Sequence, residues 1–246
     1  MATVALSSLL LWAGCAVPPP DESEPDGEEP SVQSDQALSA GSVENALSGG
    51  CSTASVKGLS QQIIEEMQCM RPGLFVAVPD APNLSLQPQV FPYLLAPARD
   101  RLVLALKAKP GTTMEVTSMY RTVAQQYLLS AWHDQGRCGI KAAAKPGRSN
   151  HESGLAIDIS NHGTWSSALE ARGFNWLGSF DPVHFDYQGS GAVDERGLDV
   201  EAFQRLWNRN NAADTIADDG DWGPNTQARM RKSPAAGFKI GASCSP

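Results

Sequence analysis

Among the four histidines of the chain, His151 and His184 stand in segments whose neighbours bear on chemistry. The first segment is Ser149-Asn150-His151-Glu152-Ser153-Gly154-Leu155-Ala156-Ile157-Asp158, and the second is Asp181-Pro182-Val183-His184-Phe185. By residue type His151, Asp158 and His184 offer two imidazoles and a carboxylate. Three such ligands leave a fourth tetrahedral position open on a catalytic zinc. Residue type alone equally admits three unrelated surface groups. His133, beside Trp132, and His162, after a strand end, read as surface or packing residues. Cys138 reads as half of a disulfide rather than as a nucleophile.

Such side chains converge only if the backbone brings them together. Apolar spacing predicts helices over Ser60–Met70, Leu94–Lys109, Thr122–Gly136 and Ser166–Arg172, with Pro72-Gly73 and Pro110-Gly111 as stops. Between them the period drops to two. Thr112–Tyr120 reads as a strand with Met114, Val116 and Ser118 on one side, and Gly154–Ile159 as another, with Asp158 on its polar face. His184–Tyr187 reads as a short last strand. Strands without regular βαβ alternation predict an α+β domain with a small, mostly antiparallel sheet. In that arrangement His151 leaves a loop ahead of the Gly154 turn, Asp158 projects from the next strand, and His184 comes from a neighbouring one. Trp176, Phe180, Phe185 and Tyr187 are expected to serve the core more than a ligand surface.

The pattern S-x-H-x-x-G-x-A-x-D, with a downstream acid-x-x-H-F segment and a preceding Tyr120-Arg121 at a strand end, resembles the zinc D-Ala-D-Ala peptidases of the VanX/VanY group, peptidase family M15, whose fold is shared with the Hedgehog signalling domain. The likeness spans roughly Met114 to Tyr187. It implies one zinc per chain on His151, Asp158 and His184. It further implies Asp181 as general base, Arg121 as the cation that steadies the oxyanion, and Ser149 near the amino-terminal side of the substrate, with Ser118 a second candidate for substrate binding. Many members have Glu where this chain has Asp181, so the carboxylate is withdrawn by about one C–C bond and the backbone or a water must make up the reach. The implied reaction is hydrolysis of amides next to D-amino acids in peptidoglycan stem peptides, as a D-alanyl-D-alanine carboxypeptidase. A peptidoglycan endopeptidase of the same family, and a non-catalytic zinc-stabilised wall-binding protein, are the alternatives.

The rest of the sequence bears on address and partners. Residues 1–50 hold eight acids and no Lys or Arg, whereas from residue 51 onward 19 basic residues face 19 acidic ones. The folded part is thus near neutral, and no basic field supports nucleic-acid binding. Val4–Gly14 is apolar but too short to span a bilayer and fits a signal peptide. With Ala13-Gly14 before Cys15, residues 1–15 resemble a lipoprotein signal ending at the lipidation cysteine. An exported protein of the cell envelope, held in the periplasm or outer membrane by a lipid as its one membrane contact, is the expectation. Residues 16–50 read as a disordered acidic tether, 51–191 as the peptidase domain, and 192–246 as a small helical module, with helices over Leu198–Asn208 and Pro224–Arg231. In that module Phe203-Gln204-Arg205-Leu206 and Asp219-Gly220-Asp221-Trp222-Gly223-Pro224-Asn225-Thr226 resemble the peptidoglycan-binding helical module. Cys51, Cys69, Cys138 and Cys244 are expected to form two disulfides. Three connectivities are open, and Cys51 with Cys69 plus Cys138 with Cys244 is the one favoured, since it ties the tail to the body.

Overall fold

A computed structural model describes residues 41–244 of the chain. The expected signal peptide, Cys15 and most of the expected tether lie outside the described residues. Those described fold as α+β. In chain order they form α1 (Val43–Ser48), a 3-10 turn (Thr53–Val56), α2 (Lys57–Met70), β1 (Phe75–Ala77), β2 (Leu84–Leu86), β3 (Tyr93–Leu95), α3 (Ala96–Ala108), β4 (Met114–Ser118) and α4 (Val123–Asp134). Then come β5 (Ala156–Ile159), α5 (His162–Glu170), β6 (Phe174–Trp176), a 3-10 turn (Gly178–Phe180), β7 (His184–Tyr187), α6 (Leu198–Asn210) and α7 (Pro224–Lys232).

The main sheet runs β2-β4-β5-β7-β6, antiparallel except for the β2–β4 pair, and β1 pairs with β3 in a separate two-stranded ribbon. The parallel pair is possible because α3 lies between β2 and β4 and supplies the long crossover such a pair needs. Pro97 in the first turn of α3 confines the helix to Ala96 onward, so Leu94 and Leu95 belong to β3 rather than to the expected helix. Thr122 and Gln125 close a reciprocal capping box at the start of α4, which fixes the turn that follows Arg121.

Two apolar cores flank this frame. In one, Met114, Val116, Ile157, Ile159 and Phe185 of the sheet pack with Leu102 of α3 and Trp165 of α5. In the other, α1, α2, α4, α6 and α7 converge through Leu47, Ile63, Trp132, Phe203 and Met230. Residues 198–232 therefore share a core with the segments before residue 140, and no boundary in the packing falls near residue 192. Residues 41–50 also depart from the tether expectation: Ser42 caps α1, whose Val43 and Leu47 are buried in that same core. Among the described residues no helix is long and apolar enough to cross a membrane.

Both disulfides are present, with pairings other than the favoured ones: Cys51–Cys138 and Cys69–Cys244. The reason is local. Arg137 donates to the carbonyls of Leu47 and Gly49, which brings Cys51 beside Cys138 at the end of α4. The tail runs back along α2, where Gln62 bonds both the N–H and the carbonyl of Phe238 and Glu66 accepts from the Ser243 N–H. Cys244 accordingly meets Cys69 in the last turn of α2. Almost the whole of that helix, roughly 18 Å at 1.5 Å per residue, separates Cys51 from Cys69.

Candidate active site

Strand register assembles the site. Ser118 of β4 pairs with Asp158 of β5, and Asp158 pairs with His184 of β7, so three adjacent strands present one row across one face of the sheet. His151 reaches this row from the loop before β5. That loop is held by Gly154, whose φ of +68° favours glycine and whose carbonyl accepts from the Leu95 N–H. An added Cβ there would lie 2.6 Å from the Phe75 ring.

Within the row, His151 Nε2 lies 3.2 Å from Asp158 Oδ1 and 3.2 Å from His184 Nδ1, and His184 Nδ1 lies 2.9 Å from Asp158 Oδ1. The outer nitrogens fix the tautomers. His151 Nδ1–H donates to the Met119 carbonyl at 2.8 Å, and His184 Nε2–H donates to Asp186 Oδ1 at 2.8 Å. The two inner nitrogens and the carboxylate oxygen thus turn lone pairs on one another. Only a shared proton or a cation satisfies that triangle, and its edges come near the ~3.3 Å that separates donors bonded at ~2.0–2.1 Å around a tetrahedral ion. His151, Asp158 and His184 fit a metal of the zinc type.

Charge in the site follows from burial and partners. Burial disfavours a charge on His184, but its hydrogen bonds to the Asp158 and Asp186 carboxylates outweigh it and hold its pKa up at about 9. His151 goes the other way, lowered by burial and by the Arg121 charge. Asp158 is held well below the usual carboxylate range by both imidazoles and Arg121, which together overcome its burial. The metal-free triangle consequently carries one proton, on His184, in the place a cation would take.

The loop before His151 is organised by Glu152, whose carboxylate accepts from the N–H groups of Gly147, Arg148 and Ser149 at 2.7, 3.1 and 2.8 Å. Asp199 of α6 is wholly buried, and its Oδ2 has no hydrogen-bond partner among the described residues. Burial and the charge of Glu152 push its carboxyl well up. Burial pushes the Glu152 carboxyl up as well, to about 7, against the lowering by its three N–H donors.

Arg121, Ser149, His151, Asp158, Asp181 and His184 all line one cleft of about 620 Å³. Arg121 Nη2 donates to Asp158 Oδ2 and to Ser118 Oγ, each at 3.1 Å, and Nη1 to Gln126 Oε1 at 3.1 Å. One Nη1–H and the Nε–H are left over. Asp181 lies at the end of the Gly178–Phe180 turn, half-buried, with no side-chain hydrogen bond or ion pair among the described residues. Ser149 reaches the cleft wall, although its hydroxyl oxygen already accepts the His151 N–H. Ser118 lies apart from this cleft, in a smaller pocket beyond Arg121, where it supports Arg121.

Sequence reasoning missed Asp186, which orients His184. The signal was present, since residues two apart on a strand share a face. It also assigned Trp176 and Phe180 to the core with Phe185 and Tyr187. The latter two are buried, whereas Phe180 is 76% exposed and Trp176 40% exposed, at and beside the cleft rim. His162 packs as expected, stacked on Trp176.

Residues 95–188 match the family described as VanY, D-alanyl-D-alanine carboxypeptidase. The match begins at the end of β3 and closes just past β7, so it contains His151, Asp158, His184, Arg121 and Asp181. The matched stretch is less than half of the chain's length, and over it the chain is similar to that family.

Proposed function

We propose that the protein is an exported zinc metallopeptidase that removes the terminal D-alanine from peptidoglycan stem peptides ending in D-Ala-D-Ala. The observation that carries this reading is the triangle of His151, Asp158 and His184, whose inward lone pairs open onto a cleft in the stretch similar to the VanY family. When bound there, zinc supplies a Lewis acid that polarises the scissile carbonyl and makes water nucleophilic near neutral pH.

The chain's own groups do the rest. Asp181, with no competing partner among the described residues, takes the proton of the attacking water and returns it to the leaving amine. Arg121 holds Asp158 through Oδ2, which leaves Oδ1 for the metal, and its remaining N–H groups meet the negative charge that develops on the carbonyl oxygen. Asp186 keeps His184 in the Nε2–H tautomer. Two disulfides agree with an oxidising, extracytoplasmic compartment, and lipid attachment at Cys15 would hold the enzyme at the envelope.

Incubation of the purified full chain with a muropeptide ending in D-Ala-D-Ala, followed by mass spectrometry, tests the reading. Loss of one alanine, abolished by a chelator and restored by zinc, is the expected result. A cut inside the stem or a cross-bridge would replace it with the endopeptidase alternative, and an intact peptide in the presence of zinc would reject hydrolysis.

A further inference from the structure

The cleft that holds the metal ligands does not end at the scissile bond. Arg148 and Arg196 line both it and a second, larger groove of about 920 Å³, bounded by residues 145–148, 194–197 and 220–228. Each space alone is within the range that takes a drug-sized ligand, so together they exceed what two residues flanking one amide require. Trp222, half-buried and tilted against Tyr127 at 5.6 Å, gives the groove an apolar surface.

Of the basic residues that line the groove one is left unpaired, and the carboxylate of Asp221 lines it without a partner among the described residues as well. Lys145 is paired with Asp134, Arg196 with Asp194 and Arg231 with Glu44. Arg148 is exposed, and its guanidinium has no hydrogen bond or ion pair among the described residues. Its backbone is nevertheless held firmly: the N–H donates to Glu152 at 3.1 Å and the carbonyl accepts from Arg196 Nη1 at 3.3 Å. Arg148 precedes His151 by three residues in the loop that Glu152 clamps, so a group bound to it is registered against the metal ligands.

We propose that this groove binds the part of an extended peptide substrate upstream of the scissile bond, and that Arg148 recognises a carboxylate on that arm. Substrate identity here rests on the peptidase reading above; the groove and its charge do not. A guanidinium suits the task because its planar donors meet both carboxylate oxygens at once.

The test uses two stem pentapeptides ending in D-Ala-D-Ala that differ only in an upstream α-carboxylate, free in one and amidated in the other. Their dissociation constants are measured by calorimetry on the metal-free full chain, and kcat/KM on the zinc-loaded chain. The wild type should favour the acidic peptide about tenfold in both, the usual worth of one charge-assisted hydrogen bond at a partly open site. Arg148→Ala should abolish the preference, Arg148→Lys should keep part of it, and Gln227→Glu, which places an acid in the groove alone, should reduce it. Equal binding of the two peptides by the wild type, or a preference that survives Arg148→Ala, would overturn the proposal. Arg148-dependent binding without turnover would support the groove while rejecting the peptidase reading, and turnover without discrimination would do the reverse.

Discussion

Raising the pH of the metal-free protein from 6 to 9.5 should destabilise it through His184. In the folded chain this imidazole lies between Asp158 Oδ1 at 2.9 Å and Asp186 Oδ1 at 2.8 Å, which hold its pKa at about 9 despite burial, against an ordinary 6.5. A group whose pKa is raised by folding stabilises fully below its unfolded value and loses that contribution as pH climbs through the folded one. The window is thus 6.5 to about 9. At ~1.4 kcal/mol per pH unit for one proton, up to about 3 kcal/mol is lost across it. For a fold of this size that lowers Tm by roughly 6–12 °C. Thermal melts of chelator-treated protein measure it, with His184→Gln as control, because Asp199 and Glu152 are raised too and contribute a fall of the same sign. Saturating zinc should remove the His184 share of the slope, since the cation replaces the proton, and leave the share of the buried carboxyls. A metal-free Tm that is flat or rising over the window, or a fall of equal size in His184→Gln, would refute the reasoning.

Other substitutions follow from the same geometry. Asp181→Asn keeps the shape of the side chain and the three ligands, so zinc content by elemental analysis should be unchanged while kcat falls by a factor on the order of 10²–10⁴. Gly154→Ala combines a left-handed φ with a Cβ 2.6 Å from the Phe75 ring, and denaturant melts should show a loss of at least ~2 kcal/mol together with weaker metal binding. Removing the Cys69–Cys244 link as Cys69→Ser/Cys244→Ser should cost about 2–4 kcal/mol in the same assay and free the tail from α2, read as faster amide exchange at Phe238 and Ser243. An unchanged midpoint would show that the tail's hydrogen bonds alone suffice.

The legible parts of the sequence were those in which one periodicity persisted. Strands carrying Asp158 and His184 follow from alternation over Gly154–Ile159 and His184–Tyr187, and helices α2, α4, α6 and α7 from their apolar spacing. Three-residue strands gave too few positions for any period, so β1, β2, β3 and β6 went unread. The shared packing of residues 41–50 and 198–232 was illegible for another reason. Val43, Leu47, Phe203 and Met230 carry their apolar signal in short segments, and what makes them one core is contact between chain ends far apart in sequence. Disulfide pairing failed on the same ground, because the contacts of Arg137 and Gln62 that bring the cysteines together are tertiary. At the site, residue types picked out the three side chains that converge, whereas the contacts of Asp186, Glu152 and Gln126 depended on orientation and register.

In the proposed reaction His151, Asp158 and His184 hold one zinc on which hydrolysis of the terminal D-alanine depends. Its most direct test is D-alanine release from a D-Ala-D-Ala stem peptide, plotted against zinc per chain as the metal-free protein is titrated. The expected curve rises in proportion to occupancy and levels off at one equivalent, and it stays at the baseline for His151→Ala. Release at full rate from the metal-free protein, or none at one zinc per chain, would contradict it.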